Sequence, residues 1–548
     1  LMNLVLPHAR AQVQTVADWV ILDAEVLGAS QHGLDAVAVV GDRIAAVGHS
    51  PDIRTWIGPQ TWVIQAQGRS LIPGLIDSHI HAIRAGLTEQ TEVQWSGVRT
   101  LSEALERLRV HAEHSEPGDW IVVAGGWTPE QFLERRSPTQ QELERAVPGR
   151  AAYLQRGYAG VLLSTEGLRR LSASAPARIT ARLTPERDAQ GAETGWLLGD
   201  ARAVSDMYDQ LPRPDARQQR DGTRAWWRRL SAWGITGVID PGGYNLPPDA
   251  YRPMQQSWRD GDLTVRVNFS LSAPARGQEL RDFQSLTSLM PMGWGDTMLR
   301  FNGIGENVTW GMYNNEAPQE QDKAELRRVL QWAAREGYGA TFHWNNNDTV
   351  HHLLDVIESV AAEHPIAPLR WSIAHLNNAT VASLQRMKQL GMGWLVQNAS
   401  HFQRELLVKN LGQDALSHTP PLGDALRMGL PIGVGTDAHR VMDPNPFVCL
   451  QWLIDGKAVN GQPTRDARHL LDRETALQLY TQGSAWFSHD DHQRGRIQVG
   501  MLADLALLDD SLLNIPVQRI HQMTSQLTLL GGRVVHAAGP YRALVSSP

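Results

Sequence analysis

Through the middle of this 548-residue chain, short apolar runs alternate with longer segments whose apolar residues recur at helical spacing. The strand-like runs include DWIVVAGGW (119–127), AAYLQR (151–156), GITGVIDPG, LTVRVNFSLS, TMLRFNGIG, YGATFHW, LRWSIAHL, MGWLVQN and LPIGVGTDA. Between many of them lie amphipathic stretches such as KAELRRVLQWAAREG and TVHHLLDVIESVAAEH, with apolar residues at intervals of three and four. A strand followed by a helix returns the chain to the same sheet in parallel, and about eight such repeats point to an α/β barrel. A doubly wound open sheet shows the same alternation, so periodicity alone leaves both architectures open.

The two ends have a different texture. Residues 18–70 read as short strands separated by turns, as in DWVILDAEVL, LDAVAVVGDRIAAVG and TWVIQAQG. The C-terminal end repeats this in MLADLALLDDS and SQLTLLGGRVVHAAG. The expected organisation is a small β-sandwich built from both ends, residues 14–70 and 491–548, around a barrel over 71–490 with an insertion near 125–215. No low-complexity linker separates these parts.

Bulk properties narrow the function classes. A net charge of −7 offers no basic field for nucleic acid or an acidic membrane. No apolar run approaches the roughly 18 residues of a membrane span. The single cysteine, Cys449, has no internal partner and reads as a buried thiol. The expected partner is a small molecule, with self-association as a homodimer allowed. Residues 1–12 carry a short apolar patch followed by Ala-Arg-Ala. That pattern fits either the remnant of an export signal or an unstructured terminus, so both a cytoplasmic and an exported protein remain open.

Chemistry concentrates at the ends of the strand-like runs. The run PGLIDSHIHA (73–82) closes on His79 and His81, and residues i and i+2 of an extended segment face the same side. YGATFHW brings His343, LRWSIAHL ends near His375, and LPIGVGTDA ends near Asp437. In an α/β barrel the C-terminal strand ends surround the active site. Four imidazoles and a carboxylate meeting there suit zinc or a similar divalent cation. A single histidine at a strand end is usually a hydrogen-bonding residue; the ordered recurrence is what carries the reading.

These residues resemble the amidohydrolase superfamily. GRSLIPGLIDSHIHA (68–82) is similar to its first barrel strand, and the order His79, His81, His343, His375, Asp437 to its metal-ligand sequence. VVAGGWTPEQFLERRSPTQQELERAVPGRAAYLQR (122–156) resembles the insertion of the amidohydrolase family 3 branch around N-substituted formamide deformylases. LDRETALQLYTQGSAWFSHDDHQRGRIQVGMLADLALLD (471–509) resembles its closing helix and return to the sandwich. The resemblance runs from about Asp18 to Ala538. It implies a distorted TIM (β/α)8 barrel and metal-dependent hydrolysis of a carbon–nitrogen bond in a small apolar or aromatic substrate. His79, His81, His343 and His375 would hold one or two divalent ions, with zinc the expected metal. Asp437 would bind metal and move a proton between water and the leaving group, with His375 beside it in the catalytic set.

The sequence departs from the pattern in places. Where a lysine is usual near strand four, the chain reads MLRFNGIGENVTWG, with Arg300, Asn302 and, shortly after, Glu306 as a carboxylate able to serve as ligand. After His343 come Trp344, Asn345, Asn346, Asn347 and Asp348, the last expected to cap the next helix. His439 stands where a proline is common, and Tyr158 and Ser164 replace a histidine and an asparagine in the insertion. Trp127, Trp310 and Trp344 are expected on loops facing the site; with Tyr158 and Asn346 they form the expected substrate contacts. An ester or lactone hydrolase on the same scaffold is the alternative reading. A non-catalytic scaffold fits poorly with five retained ligand candidates.

Overall fold

The computed structural model describes residues 16–174, 177–243, 246–313 and 316–545. The export-signal pattern at residues 1–12 lies outside the described residues, as do positions 14 and 15 of the expected sandwich.

Eight parallel strands form the centre: β1 (Leu75–Asp77), β2 (Ile235–Asp240), β3 (Arg266–Leu271), β4 (Leu299–Ile304), β5 (Thr341–Trp344), β6 (Ser372–His375), β7 (Gly393–Gln397) and β8 (Ile432–Gly435). They lie in two arcs, β4-β3-β2-β1 and β5-β6-β7-β8. A parallel bridge between Ile304 and Ala340 joins β4 to the start of β5. On the other side, Ser78 donates its amide to Val434 (3.1 Å) and Asp437 donates to the carbonyl of His79 (2.7 Å), joining β1 to β8. Most of these strands are buried on both faces, which is why the sequence shows continuous apolar runs there and not a two-residue alternation. Phe269, Phe301, Ile373, Trp394 and Val434 belong to the core they share with the surrounding helices.

The helices start and stop where local chemistry directs. Asp215 caps helix Ala216–Ala232 by accepting from the amides of Arg217 and Gln218. Helix Glu320–Glu336 ends at Gly337, whose φ of +77° closes the last turn in a left-handed conformation suited to glycine. No described helix is long and apolar enough to cross a membrane.

Strands from both chain ends share one five-stranded sheet: Glu25–Val26 and Ser70–Pro73 pair beside Leu505–Leu508, Ser525–Leu530 and Arg533–Ala537. A four-stranded sheet that includes Trp19–Leu22 and Ala36–Val40 packs against it through Ile21, Val37, Ile44, Leu71, Leu505 and Leu527. Sandwich and barrel are pinned together by Arg266 on β3, whose Nε and Nη2 meet Asp504 at 2.7 and 2.8 Å.

Between β1 and β2 the chain builds a separate five-stranded sheet, in the order Thr184–Arg187, Glu193–Leu198, Gly160–Leu163, Ala152–Arg156, Ile121–Val123. The apolar runs at 119–127 and 151–156 therefore belong to this sheet and not to the barrel alternation. Their local pattern selects a strand; the antiparallel partner Gly160–Leu163 decides which sheet it joins.

Candidate metal centre

The hydrogen-bonded core of β1 ends at Asp77, and the chain bends at Ser78 and His79 just past it. Ile80 donates to Ile239 (3.2 Å) and His81 donates to Ala438 (3.0 Å), so the segment carrying both imidazoles is held from two sides. Asp77 fastens the same place. Its carboxylate accepts from the amide of His79 (3.2 Å), from the Thr436 amide (3.1 Å) and hydroxyl (2.8 Å), and from the Tyr480 hydroxyl (3.1 Å). One buried acid thereby locks the loop after β1 to the loop after β8. Burial pushes its pKa up to about 6 despite these donors.

His79, His81, His343, His375, Glu306 and Asp437 converge at the C-terminal mouth of the barrel. Glu306 sits at the centre. Its Oε2 lies 3.4 Å from His79 Nε2, 3.3 Å from His343 Nδ1 and 3.3 Å from His375 Nε2, and its Oε1 lies 3.3 Å from His81 Nε2. Asp437 Oδ1 lies 3.1 Å from His81 Nε2 and 3.5 Å from His79 Nε2. His79, His81 and Glu306 form one compact donor group, and Glu306, His343 and His375 another.

The imidazoles are aimed by their second nitrogens. His81 Nδ1 donates to the carbonyl of Gly242 (2.9 Å), and that turn is held by Asp240, which accepts from the amides of Gly242 (2.9 Å) and Ile83 (2.8 Å). His375 Nδ1 donates to Gln397 Oε1 (2.8 Å). In the neutral ring both bonds put the lone pair on Nε2, facing the centre, as metal ligation requires. Asn345 places its side-chain amide 3.3 Å from His343 Nε2.

Electrostatics follow from this crowding. Burial alone would lower the pKa of His79, but Asp437 and Glu306 outweigh it and raise it to about 9. For His81, burial and the charge of Arg84 act downward and the same two carboxylates raise it to about 10. Burial works to raise Glu306 and Asp437, yet the imidazoles hold both well below the usual carboxylate range. Such a set asks for positive charge at its middle. Consistent with that, both ring nitrogens of His79 are buried and lack a hydrogen-bond partner among the described residues. The donors, four neutral-capable imidazoles and two carboxylates, fit one or two divalent cations of the zinc type.

The expected substrate contacts divide. Trp310 is half-buried and packs edge-on against Tyr313, whose ring centroid lies 6.3 Å from that of His343. Tyr158 lines a cavity near the mouth. Trp127 faces no site: it is buried among Trp95, Phe132 and Trp196, with Nε1 donating to Gln155 (2.9 Å). Trp344 is a β5 residue, fully buried in the barrel core, because alternation along the strand turns it opposite to His343. Asn346, not Asp348, caps the following helix, accepting from the Asp348 amide (3.0 Å). Ser164 ties insertion backbone together through Ala152, Gly167 and Arg150. Arg300 pairs with Asp490, and Asn302 donates to the Phe487 carbonyl (3.0 Å), so Glu306 alone of that segment's three polar candidates meets the histidines. His439 is buried 3.6 Å from Glu92; burial and the charge of Arg440 push its pKa down to about 3.

Asp77, Asp240 and Gln397 escaped the sequence reading. Asp77 stands two residues before His79, a local signal; the other two act through contacts that only the fold creates.

The model of the amidohydrolase family matches residues 62–536. The chain belongs to the amidohydrolase family. That membership makes it a hydrolase, and the convergent donors lie where such a barrel places its chemistry. An N-substituted formamide deformylase of Arthrobacter pascens is 22% identical over 94% of this chain and 97% of its own. A putative amidohydrolase of Bacillus subtilis, YtcJ, is 22% identical over 87% and 91%. Among solved structures, an uncharacterized metal-dependent hydrolase from Pyrococcus horikoshii superposes with a TM-score of 0.64 at 16% identity, covering 91% of this chain and 99% of that one. Zinc-complexed atrazine chlorohydrolase TrzN from Arthrobacter aurescens gives 0.54 at 15% identity, covering 95% of each. These likenesses show the fold.

Proposed function

We propose that this amidohydrolase-family enzyme uses a divalent metal, with zinc the first choice, to hydrolyse a carbon–nitrogen bond of amide type in a small substrate. One observation carries the reading: the Glu306 carboxylate lies within 3.3–3.4 Å of nitrogens from all four histidines, while Asp437 lies within 3.1–4.0 Å of three of them. His79, His81, His343, His375, Glu306 and Asp437 would hold one or two such ions. A cation bound there supplies Lewis acidity, polarising the scissile carbonyl and acidifying water near neutral pH.

The chain's own groups then manage protons and orientation. Asp437, held as a carboxylate by the neighbouring imidazoles against the pull of burial, accepts the proton of the attacking water. It returns that proton to the leaving nitrogen, which departs poorly as an anion. Asp77 fixes the backbone beneath His79 and beside Asp437, so the base and the ligands keep their register. Trp310 and Tyr313 offer an aromatic wall beside His343 for the apolar part of the substrate.

The test is metal analysis joined to a screen of N-formyl and N-acyl amines. The holoenzyme should contain one or two divalent ions per chain and release amine. Asp437→Asn should lose at least about 1,000-fold in kcat while keeping its thermal midpoint, the scale for removing an essential proton-transfer group. Fully active metal-free protein, or ester turnover far above any amide turnover, would overturn the proposal.

A further inference from the structure

A cavity of about 130 Å³ opens between the barrel mouth and the insertion. That is room for several waters, and so for the end of a small substrate. Its wall includes three arginines, Arg84, Arg213 and Arg440, with Tyr158, Asp209 and Asp249. The three guanidiniums are not equivalent. Arg440 is neutralised: its Nη1 meets both oxygens of Glu92 at 3.1 Å, and its guanidinium lies 4.1 Å from the Tyr208 ring. Arg213 sits at the exposed rim.

Arg84 is the one left to act. It stands on helix Ala82–Thr88, one turn past His81, and is half-buried. None of its nitrogens has a hydrogen bond or ion pair among the described residues, and its Nε is shut off from solvent as well. A buried N–H left unpaired costs about 1–3 kcal/mol, more on a charged group, so an anion that pairs with it is favoured. Arg84 also belongs to two places at once. It borders the cavity, and it stands three residues past His81 on the helix whose Ile83 amide is held by Asp240.

We propose that Arg84 binds a carboxylate of the substrate, so that the enzyme prefers amides carrying an acid group near the scissile nitrogen. This rests on the amide-hydrolase reading above and adds the substrate class. A guanidinium presents paired N–H donors that match the two oxygens of a carboxylate. Asp209 and Asp249 in the same wall disfavour a dianion more than a monoanion, which selects a carboxylate over a phosphate. Leu87 and Leu246 provide apolar wall for the carbon skeleton that links the acid to the amide.

Two substrates that differ only in the acid, N-formyl-phenylalanine and N-formyl-2-phenylethylamine, test this on the metal-loaded enzyme. The native enzyme should favour the first in kcat/KM. Arg84→Met should cut kcat/KM for the acid by roughly 10- to 100-fold, the scale of a hydrogen bond to a charged group, and leave the amine-derived amide within about threefold. Arg84→Lys, which keeps charge and bulk but loses the fork, should fall at least about tenfold on the acid and serves should the Met variant fold poorly. Equal losses on both substrates, or none on either, would overturn the assignment. Calorimetric binding of 3-phenylpropionate against 3-phenylpropan-1-ol separates the two layers. Acid-selective binding lost in Arg84→Met upholds the Arg84 site even where no amide is turned over; amide turnover with Arg84→Met binding the acid as the native protein does sinks the site and leaves the hydrolase.

Discussion

Glu92 offers a sharp test of how the loop after β8 is tied to the segment that leads into the insertion. Its carboxylate is 4% exposed and that of its partner Arg440 5%, so water does little to screen them. Both oxygens meet Arg440 Nη1 at 3.1 Å, and the Tyr208 hydroxyl donates to Oε1 at 2.6 Å. Burial alone would raise the pKa of Glu92; Arg440, His439 and Tyr208 reverse this and bring it down to about 2 from the ordinary 4.5. A drop of that size corresponds to about 3 kcal/mol of linkage. The folded pKa lies below the unfolded one. The stabilisation is therefore complete above about pH 4.5 and is lost as pH falls toward 2. Glu92→Gln removes the charge and strands Arg440 in a buried place, which costs about 3–5 kcal/mol at neutral pH. The assay is the denaturant midpoint of native and variant protein at pH 7 and pH 4, extended downward as far as the native protein stays folded. The gap between them should be wide at pH 7 and narrow steadily below pH 4.5. A gap that stays constant across that range would show that Glu92 is held by shape and not by charge, and would refute the reasoning.

Three further predictions follow from other parts of the structure. Glu306→Gln should lower the bound metal per chain, from two toward one where two ions are present, since no other described carboxylate contacts all four histidines; unchanged metal content measured by elemental analysis would remove it from the ligand set. Asp504→Asn should destabilise the fold by about 3–5 kcal/mol by stranding Arg266, whereas Arg266→Met with Asp504→Leu should come within about 1–2 kcal/mol of the native protein; equal denaturant midpoints for the two variants would contradict this. Trp344→Ala should cost about 3–5 kcal/mol of stability, whereas Trp310→Ala should raise KM with a nearly unchanged thermal midpoint, and the reverse pattern would return Trp344 to the substrate pocket.

The residues that converge at the candidate metal centre were legible because their signal is local. A parallel strand buried on both faces writes a continuous apolar run, and a polar, metal-competent residue at its C-terminal end stands out against it. His79, His81, His343, His375 and Asp437 all carry that mark. The tryptophans misled for a related reason. Trp344 is adjacent to His343, but one residue along a strand reverses the side chain, so the histidine looks into the mouth and the indole into the core. Trp127 follows two glycines and reads as loop, yet the insertion closes over it with nearby Phe132 and with Trp95 and Trp196 drawn from distant segments.

By itself, then, the sequence determined the strand–helix alternation, the apolar strands and the chemical identity of the donors, because each depends on neighbours a few positions away. Tertiary structure alone decided which strands share a sheet and which second nitrogen aims each imidazole. It also decided that Glu306 lies among all four histidines, that Arg440 is spent on Glu92 and that Arg84 is not. Those outcomes depend on pairs such as Asp77 with Thr436 and His375 with Glu306, far apart in the chain and brought within hydrogen-bonding range only when the barrel closes.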